Sequence, residues 1–106
     1  MKFTGEVLVC QDTPDLARKC TVRTLVVNVR SREILEATDE YSVPFEPQIM
    51  RFYMDVVEVT PIIPQEVVEV IVKKSWNVFA YEDVEIKSIN VIQTPYPDYK
   101  DIVKGV

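Results

Sequence analysis

The sequence predicts a mainly β fold, either an antiparallel two-layer sandwich or a small barrel, with one or two short helices. Segments rich in β-branched residues alternate in polarity every second residue, as half-buried strands do. Seven prolines and two glycines separate these segments. A chain of 106 residues, 47% hydrophobic and 27% charged, has the size and balance of one globular domain. We therefore expect one domain over residues 1–94 and a tail over 95–106.

The first predicted strand covers residues 2–10. After Gly5 the segment "GEVLVC" alternates, which places Val7 and Val9 on one face. The next segment, "QDTPDLARK", predicts a short helix or helical turn, because Asp12 or Thr13 can cap it and Pro14 fits a first turn.

Residues 20–30, "CTVRTLVVNVR", form the clearest predicted strand. Its two faces are both apolar, one with Leu25, Val27 and Val29 and the other with Val22 and Val26. "SREILEATDEY" then favours a short amphipathic helix, with Ser31 as a cap. The alternative there is a hairpin turn at positions 31 and 32 followed by a returning strand.

Two further segments predict strands. "YSVPFEP" is a proline-punctuated connection. After it, "QIMRFYMDVVEV" predicts a half-buried strand whose inner face holds Met50, Phe52, Met54 and Val56. Near the end of the domain, "WNVFAYEDVEIKSINVIQTP" predicts a hairpin with strands near 77–81 and 84–94.

Residues 60–76, "TPIIPQEVVEVIVKKSW", fit either a strand or a helix. A helix over 64–74 would place acids first and lysines last, as the helix dipole prefers. Five β-branched residues between 67 and 72 oppose it, because each loses rotamer freedom in a helix. We favour the strand. The helix would instead give an α+β fold, an antiparallel sheet with one helix packed across it.

Charge is unevenly distributed over a chain whose net charge is −5. Segment 18–32 carries five basic residues and no acid, and segment 33–48 carries five acids and no base. The basic segment could meet an acidic surface on a partner or on another copy. The favoured interpretation is that neighbouring elements neutralise each other within one fold. The acidic balance argues against general affinity for nucleic acid or for anionic membranes.

Few residues suggest catalysis. The chain has no histidine, which removes the commonest general base and the Ser-His and Cys-His arrangements. We expect Cys10 and Cys20 to be reduced thiols, although a disulfide between them is an alternative. Neither a metal site nor a cofactor is expected. The remaining candidates are carboxylate pairs in predicted turns or caps: Asp12 with Asp15, Asp39 with Glu40, and Glu82 with Asp83.

Arginines and aromatic residues are the candidates for binding a partner. Aromatic side chains often anchor interfaces, and two of them lie in the predicted hairpin and two in the tail. The tail, with prolines at 95 and 97, could dock on its own domain or on a neighbouring subunit. The candidate partner-binding residues are Arg18, Arg23, Arg30, Arg32, Trp76, Tyr81, Tyr96 and Tyr99.

These observations favour a small non-enzymatic protein that binds another protein or its own copies, as an assembly or accessory factor, an inhibitor or a subunit of a larger complex. One alternative is a nucleic-acid-associated module that uses the basic segment 18–32. The other is a carboxylate-dependent metal enzyme. The N-terminal residues do not resemble a secretory signal and no segment is apolar enough to span a membrane, so we expect a cytoplasmic protein without membrane partners.

Overall fold

The computed structural model describes residues 1–35, 45–56, 61–73 and 84–95. In these residues there are five strands and no helix. The strands are β1 (Lys2–Asp15), β2 (Cys20–Glu33), β3 (Gln48–Val56), β4 (Val67–Val72) and β5 (Val84–Gln93). They form a small closed barrel, as expected for one of the two predicted β architectures.

The barrel closes in the order β1-β2-β3-β5-β4. Neighbouring strands pair antiparallel, except that β3 and β5 run parallel over a short contact at Phe52–Val84 and Tyr53–Glu85. Because β1 pairs with both β2 and β4, it closes the sheet on itself. Closure gives the strands partners on both sides and reduces the exposed edge.

Bulges bend the strands so that the sheet can close. The β1–β2 register shifts between Thr4 and Gly5 and again between Val7 and Val9. The predicted shared face of Val7 and Val9 is therefore wrong: Val7 is buried in the barrel, whereas Val9 is exposed. At the first shift the backbone of Gly5 approaches β2 closely, and a Cβ there would lie 2.3 Å from the carbonyl oxygen of Asn28.

The core lies inside the barrel. Phe3 is at its centre, with ring centroids 5.9 Å from both Phe45 and Phe52. Of the two apolar faces predicted for β2, the one with Leu25, Val27 and Val29 is buried. The predicted inner face of β3 is confirmed for Met50 and Phe52, whereas Met54 and Val56 are half-buried. The remaining buried apolar residues are Met1, Val7, Val68, Val70, Val72, Val84 and Ile86.

The helix predicted around Asp12 to Lys19 is wrong. β1 continues as a strand to Asp15, and a turn over residues 16–19 leads into β2. Lys19 has a φ of 54°, in the left-handed region that such turns use. The sequence also misplaced the end of β2, which runs through Ser31 to Glu33, so Ser31 is not a helix cap. The backbone of residues 12–15 pairs with β2, and that of residues 31–33 pairs with β1. A capping pattern in the local sequence does not reveal these cross-strand partners.

The ambiguous segment 60–76 contains a strand, as we favoured. β4 pairs with β1 on one side and with β5 on the other, and Val68, Val70 and Val72 point into the core. The α+β alternative is wrong for this part of the chain. The backbone groups of β4 form hydrogen bonds with a strand on each side. These bonds outweigh the small stabilisation that acids before lysines would give a helix.

A tight turn over residues 63–66 precedes β4. Pro64 occupies the second position and Gln65, with φ 75°, the third, which is the pattern of a type II turn. The N–H of Glu66 donates to the carbonyl of Ile63 at 3.3 Å, and the Glu66 carboxylate accepts from the N–H of Ile63 at 2.7 Å. The N–H of Gln65 donates to the carbonyl of Val7, which joins the turn to β1.

Several predictions concern residues that lie outside the described ranges. They include the end of the predicted helix after residue 35, the predicted strand at 77–81 and the tail from residue 96. The predicted strand at 84–94 is confirmed as β5.

Candidate functional site

The outer face of β1, β2 and β3 is the candidate site, and we call it the β1–β3 face. Its residues alternate with the buried ones, so their side chains point away from the core. Cross-strand partners bring them into rows, such as Val9 opposite Val26 and Val26 opposite Arg51. The face comprises Val9, Gln11, Val22, Thr24, Val26, Asn28, Ile49, Arg51 and Tyr53.

Large apolar side chains are exposed on this face. On β3, Ile49 is 61% exposed; on β1, Val9 is 49% exposed and its neighbour Leu8, at the bulge, is 39% exposed. Val26, half-buried, pairs with Val9 across the β1–β2 ladder and connects this group to β3. Single exposed apolar residues are ordinary, but several on one face of a sheet are typical of a surface that binds a partner.

Charged groups on either side of this face are paired within the barrel. At one end Arg18 makes two hydrogen bonds to Asp55, at 3.0 and 3.1 Å, and a third to Asp15 at 2.8 Å. At the other end Arg30 bonds Glu6 at 3.1 Å. Between them Arg51 is the one charged residue in the face as defined. A centre with little charge inside a charged rim is the composition of protein interfaces.

The surface around β4 and the first half of β1 has a different character. Lys2 contacts Glu33 at 2.9 Å and Glu69 at 3.6 Å, and Lys73 contacts Glu85 at 2.7 Å. These exposed ion pairs make a solvated, charged surface. Of the two sides, the β1–β3 face is the better suited to a partner that excludes water.

Arg23 and Asp12 form an ion pair at one end of the barrel. The Nε–H and Nη2–H groups of Arg23 donate to the two Asp12 carboxylate oxygens at 2.8 and 3.0 Å. The hydrogen bond from Arg23 lowers the pKa of Asp12, against the opposing effect of burial, and the same bond raises the pKa of Arg23. Nearby, burial raises the pKa of the Cys10 thiol, although Arg23 opposes that shift.

The four predicted arginines have different environments. Arg23 is buried, with 4% of its side chain exposed, and so is not part of an accessible surface. Arg18 and Arg30 are exposed but paired, and Arg32 lies over the ring of Phe45 at 5.6 Å. The acids that pair with Arg18, Arg23 and Arg30 belong to β1 and β3 rather than to the acidic segment 33–48. The charges of these three arginines are therefore neutralised by acids of the same barrel.

The aromatic candidates Trp76, Tyr81, Tyr96 and Tyr99 lie outside the described residues. The same holds for the carboxylate pairs Asp39 with Glu40 and Glu82 with Asp83. Of the third carboxylate pair, Asp12 binds Arg23 and Asp15 binds Arg18. No group of three or more Cys, Asp or Glu side chains within the described ranges could hold a metal ion.

Cys10 and Cys20 are free thiols. Cys10 lies opposite Leu25 in the β1–β2 ladder, and Cys20 precedes Leu25 by five residues in β2. At about 3.3 Å per residue this separates the two positions by about 16 Å along the strand. A disulfide needs Cα atoms within about 7 Å, so the hairpin register excludes the bridge.

Sequence reasoning missed the exposed residues Leu8, Val9 and Ile49. One signal was present, because β2 is apolar on both faces and its outer residues Val22 and Val26 need a cover or a partner. Ile49, which alternates with Arg51 and Tyr53, was a second signal. The position of Val9 could not be read from alternation, because the bulge reverses it.

Comparison of the chain with family models, with curated proteins and with solved structures gave no match. Within the described ranges there is no helix with the length and apolar character needed to cross a membrane. The candidate function therefore depends on the geometry of this barrel alone.

Proposed function

We propose that this is a small non-enzymatic binding protein that recognises another protein, or a second copy of itself, through the β1–β3 face. The observation that supports this most is the exposure of Leu8 and Val9 on β1 and of Ile49 on β3, with the half-buried Val26 of β2 between these strands. Burying apolar surface is worth about 25 cal/mol per Å², so covering these side chains would favour association. The cytoplasmic location stays a prediction.

The pattern of charge also supports a protein partner. Arg18 and Arg30 already have carboxylate partners, so a docked protein need not neutralise them. A partner with a mainly uncharged, apolar surface fits the centre of the face. Such a surface can belong to another copy of the chain, which would make the interface isologous.

The test compares the oligomeric state and partner binding of three full-length proteins. They are the wild type, the double variant Val9→Lys with Ile49→Lys, and the control Lys87→Ser with Ser88→Lys, which alters an exposed part of β5. Circular dichroism and thermal melting establish that each variant folds. We expect the wild type to form a discrete oligomer in analytical ultracentrifugation, the face variant to be monomeric and the control to behave as wild type.

A monomeric wild type would shift the test to a separate partner protein. A photo-reactive amino acid at position 49 should then give one discrete cross-linked protein in the native host, and the same group at position 87 should not. Binding of that purified protein should be lost in the face variant and kept in the control. Equal affinity of the face variant and the wild type would refute the proposal.

Nucleic acid is the second candidate, and the strand order favours it. Five-stranded Greek-key barrels of the OB-fold share the order β1-β2-β3-β5-β4 and bind oligonucleotides on the face of strands 2 and 3. A shared fold is a weak argument for function, and the paired arginines of segment 18–32 leave little positive charge for phosphates. The β1–β3 face also has one tyrosine, Tyr53, as its aromatic residue.

Fluorescence anisotropy with single-stranded DNA and RNA at low and physiological salt tests this second candidate. A salt-sensitive rise that Arg51→Glu abolishes, and that Lys87→Glu leaves in place, would favour nucleic acid over a protein partner. Arg23 is unsuitable for this test, because it is buried and its substitution would disturb the fold. We expect no binding at physiological salt.

A further inference from the structure

Leu16 lies in the turn between β1 and β2. The last pair of the β1–β2 ladder is Asp15 with Cys20, and residues 16–19 join these two strands. Leu16 is 87% exposed, the largest fraction among the large apolar residues that are exposed in the described ranges. A single exposed leucine is ordinary by itself. Two further observations, the order of the turn and its position, distinguish this one.

Arg18 fixes the conformation of the turn. Its backbone N–H donates to one carboxylate oxygen of Asp15 at 3.2 Å, and its Nε–H donates to the other at 2.8 Å. Its Nη1–H and Nη2–H groups donate to the two carboxylate oxygens of Asp55 in β3, at 3.0 and 3.1 Å. A bidentate network of this kind holds side chains in place better than an isolated surface pair. Leu16 therefore lies on an ordered turn, which a partner does not have to order on binding.

The same contact places the turn at the end of the β1–β3 face. Asp55 continues the outward-pointing row of β3 that includes Ile49 and Tyr53 and alternates with buried residues. Because Arg18 reaches Asp55, the side chain of Arg18 lies on the outer side of the sheet. The turn that carries Leu16 therefore borders the same side of the barrel as the β1–β3 face.

The distances fit one interface that includes both the face and the turn. Along β2, Thr24 is four residues from Cys20, beside the turn, and four residues from Asn28, the cross-strand partner of Ile49. Four residues of a strand span about 13 Å. A standard interface buries about 800 Å² on each partner, which as a disc is about 32 Å across. A partner centred near Thr24 can therefore contact Ile49 and also reach Leu16.

The surroundings of Leu16 favour an apolar pocket in a separate protein. Arg18 is already paired with Asp15 and Asp55, so a partner that encloses Leu16 need not provide a carboxylate for it. Two copies that packed face to face would make their contact between the two sheets, about 10 Å apart. Leu16 lies beyond the end of the β1–β2 ladder and outside such a contact.

We propose that Leu16 inserts into an apolar, leucine-sized pocket of a separate protein that binds the β1–β3 face. This inference rests on the proposed function and adds a second contact point to it. Enclosing the leucine side chain removes its apolar area from water, which favours association. The face supplies the broad contact, and the leucine of the turn fixes the position of the partner along the strands.

The first measurement is photo-cross-linking of the full chain in its native host. Three proteins carry a photo-reactive amino acid, one at position 16, one at position 49 and one at position 87 on β5. We expect positions 16 and 49 to cross-link the same separate protein, and position 87 to cross-link none.

The second measurement is the affinity of that purified protein for variants of the turn. Leu16→Ala should weaken binding at least about tenfold, because most of the apolar area that enters the pocket is lost. Leu16→Met, which has a similar volume, should bind within about threefold of the wild type. The matched control Ala17→Ser changes the neighbouring exposed residue and should bind as the wild type does. Circular dichroism and thermal melting establish that each variant folds.

The outcomes separate this inference from the proposed function. A protein that is cross-linked from position 49 and binds Leu16→Ala as tightly as the wild type would overturn the inference and leave the β1–β3 face intact. Cross-linking of position 16 to a second copy of the chain would also overturn it, because the occupant would then be a different one. Failure of both positions 16 and 49 to cross-link any protein would count against the proposed function, and this inference would fall with it.

Discussion

Arg23 and Asp12 lie directly opposite each other on β2 and β1, and two hydrogen bonds, of 2.8 and 3.0 Å, join their side chains. The guanidinium is enclosed by the barrel, with 4% of the Arg23 side chain exposed, and the carboxylate reaches solvent, with 29% of Asp12 exposed. The pair thus lies at one end of the core, where the Asp12 carboxylate accepts hydrogen bonds from the buried guanidinium of Arg23.

Removing the Asp12 carboxylate should destabilise the barrel. Asp12→Ala removes the carboxylate that accepts two hydrogen bonds from the buried Arg23 side chain, and we expect a loss of about 3 kcal/mol in the free energy of unfolding. This is the low end of the range for a buried pair, because Asp12 is partly exposed. Urea denaturation followed by circular dichroism measures it.

The matched control for this prediction is Asp55→Ala, which removes a carboxylate from an exposed pair with Arg18. Exposed ion pairs contribute little, so the control should unfold close to the wild type. Equal losses in the two variants would show that burial of Arg23 has no special effect on stability.

Acidification should destabilise the protein through the same pair. The pKa of folded Asp12 lies below its value of 3.8 in the unfolded chain. The ionised Asp12 therefore makes its full contribution to the free energy of unfolding at pH values above the unfolded pKa. It is lost as the pH falls through the folded pKa, since the unfolded state then binds the proton more readily. We expect the free energy of unfolding to fall between about pH 5 and pH 2.

Asp12→Asn is the control for the acid dependence. Asp15 also has a lowered pKa, through its hydrogen bond from Arg18, so some dependence should remain in this variant. The slope of stability against pH should nevertheless be smaller than in the wild type. Identical slopes would assign the acid sensitivity to other carboxylates.

Gly5→Ala should disrupt the closure of the barrel. The new Cβ would lie 2.3 Å from the carbonyl oxygen of Asn28 and 2.7 Å from the Cα of Val29, both of them backbone atoms that side-chain movement cannot relieve. We expect a loss of at least about 2 kcal/mol, or failure to fold.

Thermal melting checks the glycine prediction, with Thr4→Ala as the control. Thr4 is the neighbouring residue, half-buried and with ample room for a Cβ, so its truncation should cost less than about 1 kcal/mol. A Gly5→Ala protein as stable as the wild type would mean that β1 and β2 separate easily at the bulge.

Gln65→Gly should stabilise the turn before β4. Gln65 has a φ of 75°, which costs an L-residue about 1–2 kcal/mol, whereas glycine adopts it freely. After the entropy that glycine loses on folding, a net gain of about 0.5–1 kcal/mol remains. The backbone bond from residue 65 to Val7 is kept.

Gln65→Val is the opposite test of the same turn, because a β-branched residue is poorly tolerated at positive φ. It should lower the melting temperature, whereas Gln65→Gly should raise it. If both variants shifted in the same direction, the conformation of residue 65 would not be what determines the stability of this turn.

The sequence by itself determined that the chain forms strands and which side chains of several strands share a face. Alternation is a local property with a period of two residues, so β2, β3 and β4 could be read directly. The inward position of Arg23 also agrees with this alternation, because Arg23 shares a face of β2 with Leu25, Val27 and Val29. Internal neutralisation of the basic segment was also anticipated, although not the acids that perform it.

Only the tertiary structure decided the bulges, the strand partners and the exposed surface. A bulge reverses the alternation of β1, so Val9 points outward, and it arises from the bend that closes the barrel rather than from any local motif. The segment around Asp12, which was predicted to be a helix, is a strand because β2 provides backbone hydrogen-bond partners along it. The β1–β3 face depends on which strands become neighbours, and a local sequence pattern does not reveal those neighbours.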